Sequence, residues 1–140
     1  MEKLIYLDTN IYIDYFKNRT DYSRPLGEFA FQLLRRTFGC EFKIVISSLV
    51  LTELERNGCS KQGLDLVESL SKANKIVKVE IVDKDVDIAR NISRKRETHY
   101  SDVLHAVIAN RAGAEYLITR NVEDFARLND FANIRYPEGL

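Results

Sequence analysis

Leu4-Ile5-Tyr6-Leu7-Asp8-Thr9-Asn10 is the stretch on which the fold turns. Four successive apolar residues leave no polar face, so they predict a strand buried on both sides, as strands of parallel sheets are. Asp8-Thr9-Asn10 ends it with turn and cap formers, and Asn10 is placed to cap an amphipathic helix over residues 11–17. Short apolar runs and longer helical patterns then alternate along the chain. Pro25 opens a helix to about residue 37, Gly39 stops it, and residues 42–46 form a second strand. Ser47 or Ser48 caps a helix reaching Arg56, and residues 61–72 form another with Leu64, Val67 and Leu70 at helical spacing. A third strand spans 76–82, followed by a helix over 83–96 with Val86, Ala89 and Ile92 on one face. Ser101 caps a markedly apolar, hence interior, helix over 102–112 that Gly113 closes. Residues 116–118 give a fourth strand, 122–128 a short helix and 132–136 a fifth strand. Crossovers of roughly ten residues or more require parallel pairing. The expected fold class is therefore α/β: a three-layer α/β/α domain around a central, mostly parallel sheet of four to five strands.

The 140 residues are expected to form a single domain, 1–140, large enough to bury its own core. Lysine plus arginine balances acid, 21 against 21, so bulk charge draws the chain to neither DNA nor a membrane. A polyanionic substrate then needs a local basic patch. Cys40 and Cys59 are too few for a disulfide framework and lack zinc spacing. No apolar run approaches the roughly 20 residues of a membrane helix. Met1-Glu2-Lys3-Leu4-Ile5-Tyr6 runs directly into strand, leaving no room for a signal peptide. A soluble, cytoplasmic protein is the expectation.

In a doubly wound sheet, ligands bind beyond the carboxyl ends of the strands. Asp8 directly follows the first strand, and Glu53 lies on the helix after the second. Asp102 opens the apolar helix, and Asn121 and Asp124 follow the fourth strand. Each has an ordinary explanation when taken alone. Asp8 can belong to a turn, Glu53 to a solvated helix face, and Asp102 can simply favour its helix dipole. His105, one turn beyond Asp102, reads as a satisfied core histidine, and Asp14 as a solvent-facing helix residue. Several carboxylates at one edge, however, repel one another unless a cation is present, and oxygen-only ligands suit Mg²⁺ or Mn²⁺.

Four segments in order resemble the PIN domain, the metal-dependent ribonuclease fold of VapC-type toxins. They are Leu-Asp-Thr-Asn at 7–10, Leu-Thr-Glu-Leu at 51–54, Ser-Asp-Val-Leu-His-Ala at 101–106 and Leu-Ile-Thr-Arg-Asn-Val-Glu-Asp-Phe at 117–125. The resemblance implies a PIN-like fold in which Asp8, Glu53 and Asp102 are the catalytic, metal-holding acids, with Mg²⁺ or Mn²⁺ as cofactor. Many members carry Asp where this chain has Asn121. An amide adds no charge, so the second ion's affinity is in question; Asp124 is the alternative carboxylate, unless it caps the turn beside Phe125. Thr9, Asn10 and Thr119 are expected to support the carboxylates from behind.

By the same resemblance, the reaction is hydrolysis of RNA phosphodiester bonds to a 5′-phosphate and a 3′-hydroxyl. Asp8 and Asp102 are the central ligands, and Glu53 is either a ligand through water or an aid to deprotonating the nucleophile. Residues 88–100 hold Arg90, Arg94, Lys95 and Arg96 against Glu97, a net of +3, and end in Tyr100. Arg94, Lys95, Arg96 and Arg120 are candidate RNA contacts, although such a stretch also reads as a solvated helix face. The expected role is the toxin of a type II toxin–antitoxin pair, with a small antitoxin protein, an RNA substrate and a homodimer as partners. A housekeeping RNA-processing nuclease and a non-catalytic RNA-binding or scaffold module are the alternatives. A haloacid-dehalogenase-type phosphatase needs a second Asp where Asn10 stands, which argues against it.

Overall fold

A computed structural model describes residues 2–140, so Met1 of the opening run and of the 1–140 domain lies outside the described residues. In chain order the elements are β1 Lys3–Leu7, α1 Thr9–Lys17, α2 Leu26–Phe38, β2 Phe42–Ser47, α3 Ser48–Arg56 and α4 Ser60–Lys72. They continue with β3 Ile76–Val79, α5 Asp83–Arg96, α6 Tyr100–Arg111, β4 Tyr116–Ile118 and β5 Asn133–Arg135. The strands form one sheet in the order β3-β2-β1-β4-β5. All pairings are parallel. β1 lies at its centre, and Ile5, Tyr6 and Leu7 are fully buried, as their unbroken apolar run requires.

Helices flank this sheet. α6 is the most enclosed of them: every residue from Val103 to Ala109 is buried. It is held to α5 by Arg111, which donates to both Asp85 carboxylate oxygens at 2.9 Å. Asp85 also accepts from the Val82 amide at 3.1 Å and so closes the start of α5. α1 and α2 pack so closely that a Cβ on Gly27 would stand 2.6 Å from the Asn18 Cα, which leaves glycine the only residue that fits there. Gly113, at φ +77°, provides the left-handed turn out of α6.

Several local expectations are corrected. Asp8, not Asn10, is the N-cap of α1, because the helix starts at Thr9 and takes Asn10 into its first turn. Likewise α6 begins at Tyr100 with His99 as its N-cap, so Ser101 lies inside the helix and its hydroxyl is free for another partner. The third strand is shorter than expected, ending at Val79, since β3 is an edge strand with only β2 to pair with. The helix expected over 122–128 is a series of turns ending in a 3-10 turn at Ala126–Leu128. Leu64 is 57% exposed, although Val67 and Leu70 on the same helix are buried. Asp14 is not solvent-facing: its side chain is 1% exposed and pairs with Arg120 at 3.0 Å and Arg19 at 3.8 Å. Ser47, in contrast, caps α3 as expected, accepting from the Val50 amide at 3.2 Å. Among the described residues, no helix is long and apolar enough to cross a membrane.

Candidate active site

Parallel pairing brings the carboxyl ends of the strands to one edge. The sheet order runs outward in opposite directions from β1 and β4, which opens a crevice between their ends. Asp8 lies there. Its amide donates to the Ile118 carbonyl of β4 at 2.9 Å, which continues the β1–β4 ladder by one residue. The Thr119 hydroxyl donates to Asp8 Oδ2 at 3.2 Å and accepts from the Asn121 amide at 3.1 Å. Two strand ends and the turn after β4 therefore fix one buried carboxylate. Asp102, in the first turn of α6, reaches the same region half-buried.

Glu53 projects from α3 into a set of donors. Its Oε1 accepts from the Thr9 hydroxyl at 2.6 Å and lies 2.6 Å from His105 Nε2. Its Oε2 accepts from the Ser101 hydroxyl at 2.8 Å. His105 is 1% exposed and stands 3.7 Å from Asp8 Oδ1. Its Nδ1 is 2.6 Å from the Tyr6 hydroxyl, which is in turn 2.8 Å from Ser47 Oγ.

The three acids have different electrostatic surroundings. Burial raises the Glu53 carboxyl, but the hydrogen bond and charge of His105, with Thr9 and Ser101, outweigh it and hold the group at about 2. Burial pushes Asp102 up to about 6, and the charge of Asp8 adds to the rise. Burial also pushes Asp8 up; His105 and Thr119 oppose this, and Glu53 reinforces it. Burial would lower His105, yet Glu53, Asp8 and Asp102 together hold it above its ordinary value. His105 thus sits nearest Glu53 and only partly offsets Asp8 and Asp102, whose carboxyls stay raised.

That imbalance tests the fit of a divalent ion. Among the described residues, no three His, Cys, Asp or Glu side chains stand together ready to ligate one. Asp8 and Asp102 supply hard oxygen donors whose raised carboxyls a divalent cation would lower, so the donor chemistry fits Mg²⁺ or Mn²⁺. Glu53 is already surrounded by three donors. Asp124 is exposed, but it lines with Asp102, His99 and Arg127 a cavity of about 430 Å³. Asn121 is exposed and turns toward a separate cavity with Arg24, Arg120 and Tyr136. Asn10 sits half-buried in α1, away from the hydrogen bonds that hold Asp8. A cavity of about 450 Å³ beside Lys3, Phe42 and Tyr116 lies at the opposite, amino ends of the strands and has no part in this chemistry.

The basic residues divide into two groups. Arg96 is held by Asp130 at 2.7 and 2.9 Å, and Arg120 by Asp14 at 3.0 Å. Arg94 and Lys95 are exposed, and Arg94 shares a shallow cavity with Arg90 and Tyr100. Ser101, Tyr6 and Ser47 left little mark in the sequence as members of the site, because each is already explained as a cap or a core residue. His105, three residues beyond Asp102 and flanked by the apolar Val103, Leu104, Ala106 and Val107, was the available signal.

Residues 5–130 match the PIN domain family model. No curated protein sequence matches the chain. In fold, the structure is similar to a chain of VapBC2 from Rickettsia felis bound to a DNA fragment from its promoter, with a TM-score of 0.65 at 20% identity over 95% of this chain and 98% of that one. It is also similar to a chain of DNA-bound VapBC from Salmonella typhimurium, with a TM-score of 0.66 at 20% identity over 98% and 99% of the two chains. VapBC-1 from nontypeable Haemophilus influenzae gives a TM-score of 0.65 at 21% identity over 96% and 98%.

Proposed function

The chain belongs to the PIN domain family, and we propose that it is a Mg²⁺- or Mn²⁺-dependent endoribonuclease, the toxin of a cytoplasmic toxin–antitoxin pair. One observation carries this reading. Asp8 and Asp102 stand at the switch point of the sheet with raised carboxyls, and among the described residues neither is paired with lysine or arginine. A fold ordinarily avoids buried charge that is only partly offset, and its presence is best explained by a cation that binds there.

When bound, a divalent ion supplies positive charge to the scissile phosphate and acidifies a water for attack. Asp8 and Asp102 would hold it. Thr119 fixes the rotation of the Asp8 carboxylate. Asp124, which lines one cavity with Asp102 and another with Asn121, is preferred to Asn121 as a further oxygen donor because it shares Asp102's cavity. Arg90, Arg94 and Lys95 draw the backbone of a single-stranded RNA toward this edge, and Tyr100 offers a face for a base. Arg96 and Arg120, being paired, contribute less. The resemblance in fold to chains of VapBC and toxin–antitoxin assemblies supports an antitoxin partner; a homodimer is part of the same proposal.

Purified protein incubated with labelled, mostly single-stranded RNA tests the reading. Cleavage is expected with Mg²⁺ or Mn²⁺, none with EDTA, and a fall on the order of 10³-fold in Asp8→Asn, the size that several kcal/mol of lost charge stabilisation implies. RNA binding without cleavage, indifferent to both metal and Asp8→Asn, would instead establish a scaffold module.

A further inference from the structure

Glu53 is the one acid of the site whose oxygens are taken up by the protein itself, and its partners are informative. Thr9, which donates to Oε1 at 2.6 Å, immediately follows Asp8; Ser101, which donates to Oε2 at 2.8 Å, immediately precedes Asp102. One carboxylate on α3 therefore ties together the two backbone segments that carry the two aspartates. The tie is itself held. His105 Nε2 lies 2.6 Å from Glu53 Oε1, and the imidazole's other nitrogen lies 2.6 Å from the Tyr6 hydroxyl. Tyr6 is anchored at 2.8 Å by Ser47, the residue that caps the helix bearing Glu53. The chain closes on itself: Ser47 to Tyr6 to His105 to Glu53, and along α3 back to Ser47.

We propose that Glu53, His105 and Tyr6 form a clamp that sets the separation of Asp8 and Asp102, and that His105 and Tyr6 act as positioning residues through Glu53. The proposal rests on the reading of Asp8 and Asp102 as a cation site. Thr9 and His105 occupy Oε1 and Ser101 occupies one side of Oε2, so most of the acceptor capacity of Glu53 is committed to holding the two segments. A base role is unsuited to it, since these donors stabilise its charged form. As a clamp, it uses all three. His105 keeps the Glu53 rotamer fixed, and Tyr6 keeps the imidazole plane fixed, as the partners behind a metal-binding group commonly do.

The consequences differ from those of losing a ligand. In Tyr6→Phe the ring still fills its buried place and only the bridge between Ser47 and His105 is lost. In His105→Gln an amide donor remains for Glu53, but the Tyr6 anchor is weakened. Both are expected to bind Mn²⁺ about 10-fold more weakly in a calorimetric titration, at the low end of what partners behind a ligand contribute. Both should cleave RNA slowly at low Mn²⁺, recover near wild-type rates at saturating Mn²⁺, and keep the wild-type KM for RNA. Asp8→Asn should recover at no Mn²⁺ concentration. Melting curves identify any variant that fails to fold, and the other variant then decides. Mn²⁺ affinity within twofold of wild type in the folded variants would overturn the clamp, as would a cleavage defect that saturating Mn²⁺ leaves in place. Wild-type protein that binds no Mn²⁺ would overturn the metal-site reading itself, a separate and recognisable outcome.

Discussion

Four aspartates at or near the core fall into two pairs. Asp85 and Asp14 are each met by arginine: Arg111 binds both oxygens of Asp85, and Arg120 and Arg19 approach one oxygen of Asp14. Asp8 and Asp102 are met by no arginine or lysine among the described residues. Burial raises both carboxyls, Asp102 to about 6, but it raises Asp14 to about 6 as well, so it is the missing arginine that separates the pairs. The first pair holds elements together, α5 to α6 and α1 to the turn after β4. The second gathers charge at the switch point of the sheet, where only His105, 3.7 Å from Asp8, faces it. The same residue type serves opposite ends, and the difference is whether the fold supplies an arginine.

The largest expected effect on stability lies in the satisfied pair. Asp85→Ala removes the bidentate partner of Arg111 and the acceptor at the start of α5, and should cost about 2 kcal/mol, a discount on a fully buried pair because Arg111 reaches solvent. Denaturant unfolding measures it, and RNA cleavage by the folded fraction should hardly change. Asp102→Asn should do the reverse, raising the melting temperature of metal-free protein by a few degrees while abolishing cleavage, since it removes repulsion along with a ligand. The pH dependence of metal-free protein follows the same sign. A carboxyl at about 6 in the folded state and 3.8 otherwise binds its proton more tightly when folded. Its contribution therefore favours folding below about pH 4 and is lost as pH rises through 6. Glu53, at about 2, acts oppositely: its stabilisation is present above its ordinary 4.5 and disappears as pH falls toward 2. Melting of metal-free protein between pH 4 and 7 should thus show stability falling with pH, and Asp102→Asn should reduce that slope, leaving the part that Asp14, also raised to about 6, contributes. The smallest effect is expected at Asn121→Asp, where an exposed new carboxylate should change Mn²⁺ affinity only a few-fold, by long-range attraction.

Much of this was legible in the sequence because burial and periodicity leave direct marks. Leu4-Ile5-Tyr6-Leu7 had to be a doubly covered strand, and once strands alternated with long crossovers the parallel sheet and its carboxyl-end site followed. Asp8 and Asp102 were visible because a charged residue beside an apolar strand or helix is conspicuous. Thr9 was expected to support the carboxylates, but Ser101, Tyr6 and Ser47 were hidden for a physical reason: they lie on three separate segments, and each has an ordinary local explanation as a cap or a core residue. Asp14 was misread because helical periodicity on a short helix cannot foresee an arginine arriving from residue 120. The 122–128 segment was misread as helix because its apolar residues serve turns that pack Phe125 and Leu128 into the core.

The central claim is that Asp8 and Asp102, which meet no lysine or arginine among the described residues, together bind a cation. Calorimetric titration of Mn²⁺ into metal-free wild-type protein and into Asp8→Asn/Asp102→Asn tests it most directly, because it needs neither the natural RNA nor turnover. Saturable binding by the wild type that disappears in the folded double variant is the predicted result. Equal binding by both proteins, or none by the wild type, would contradict it.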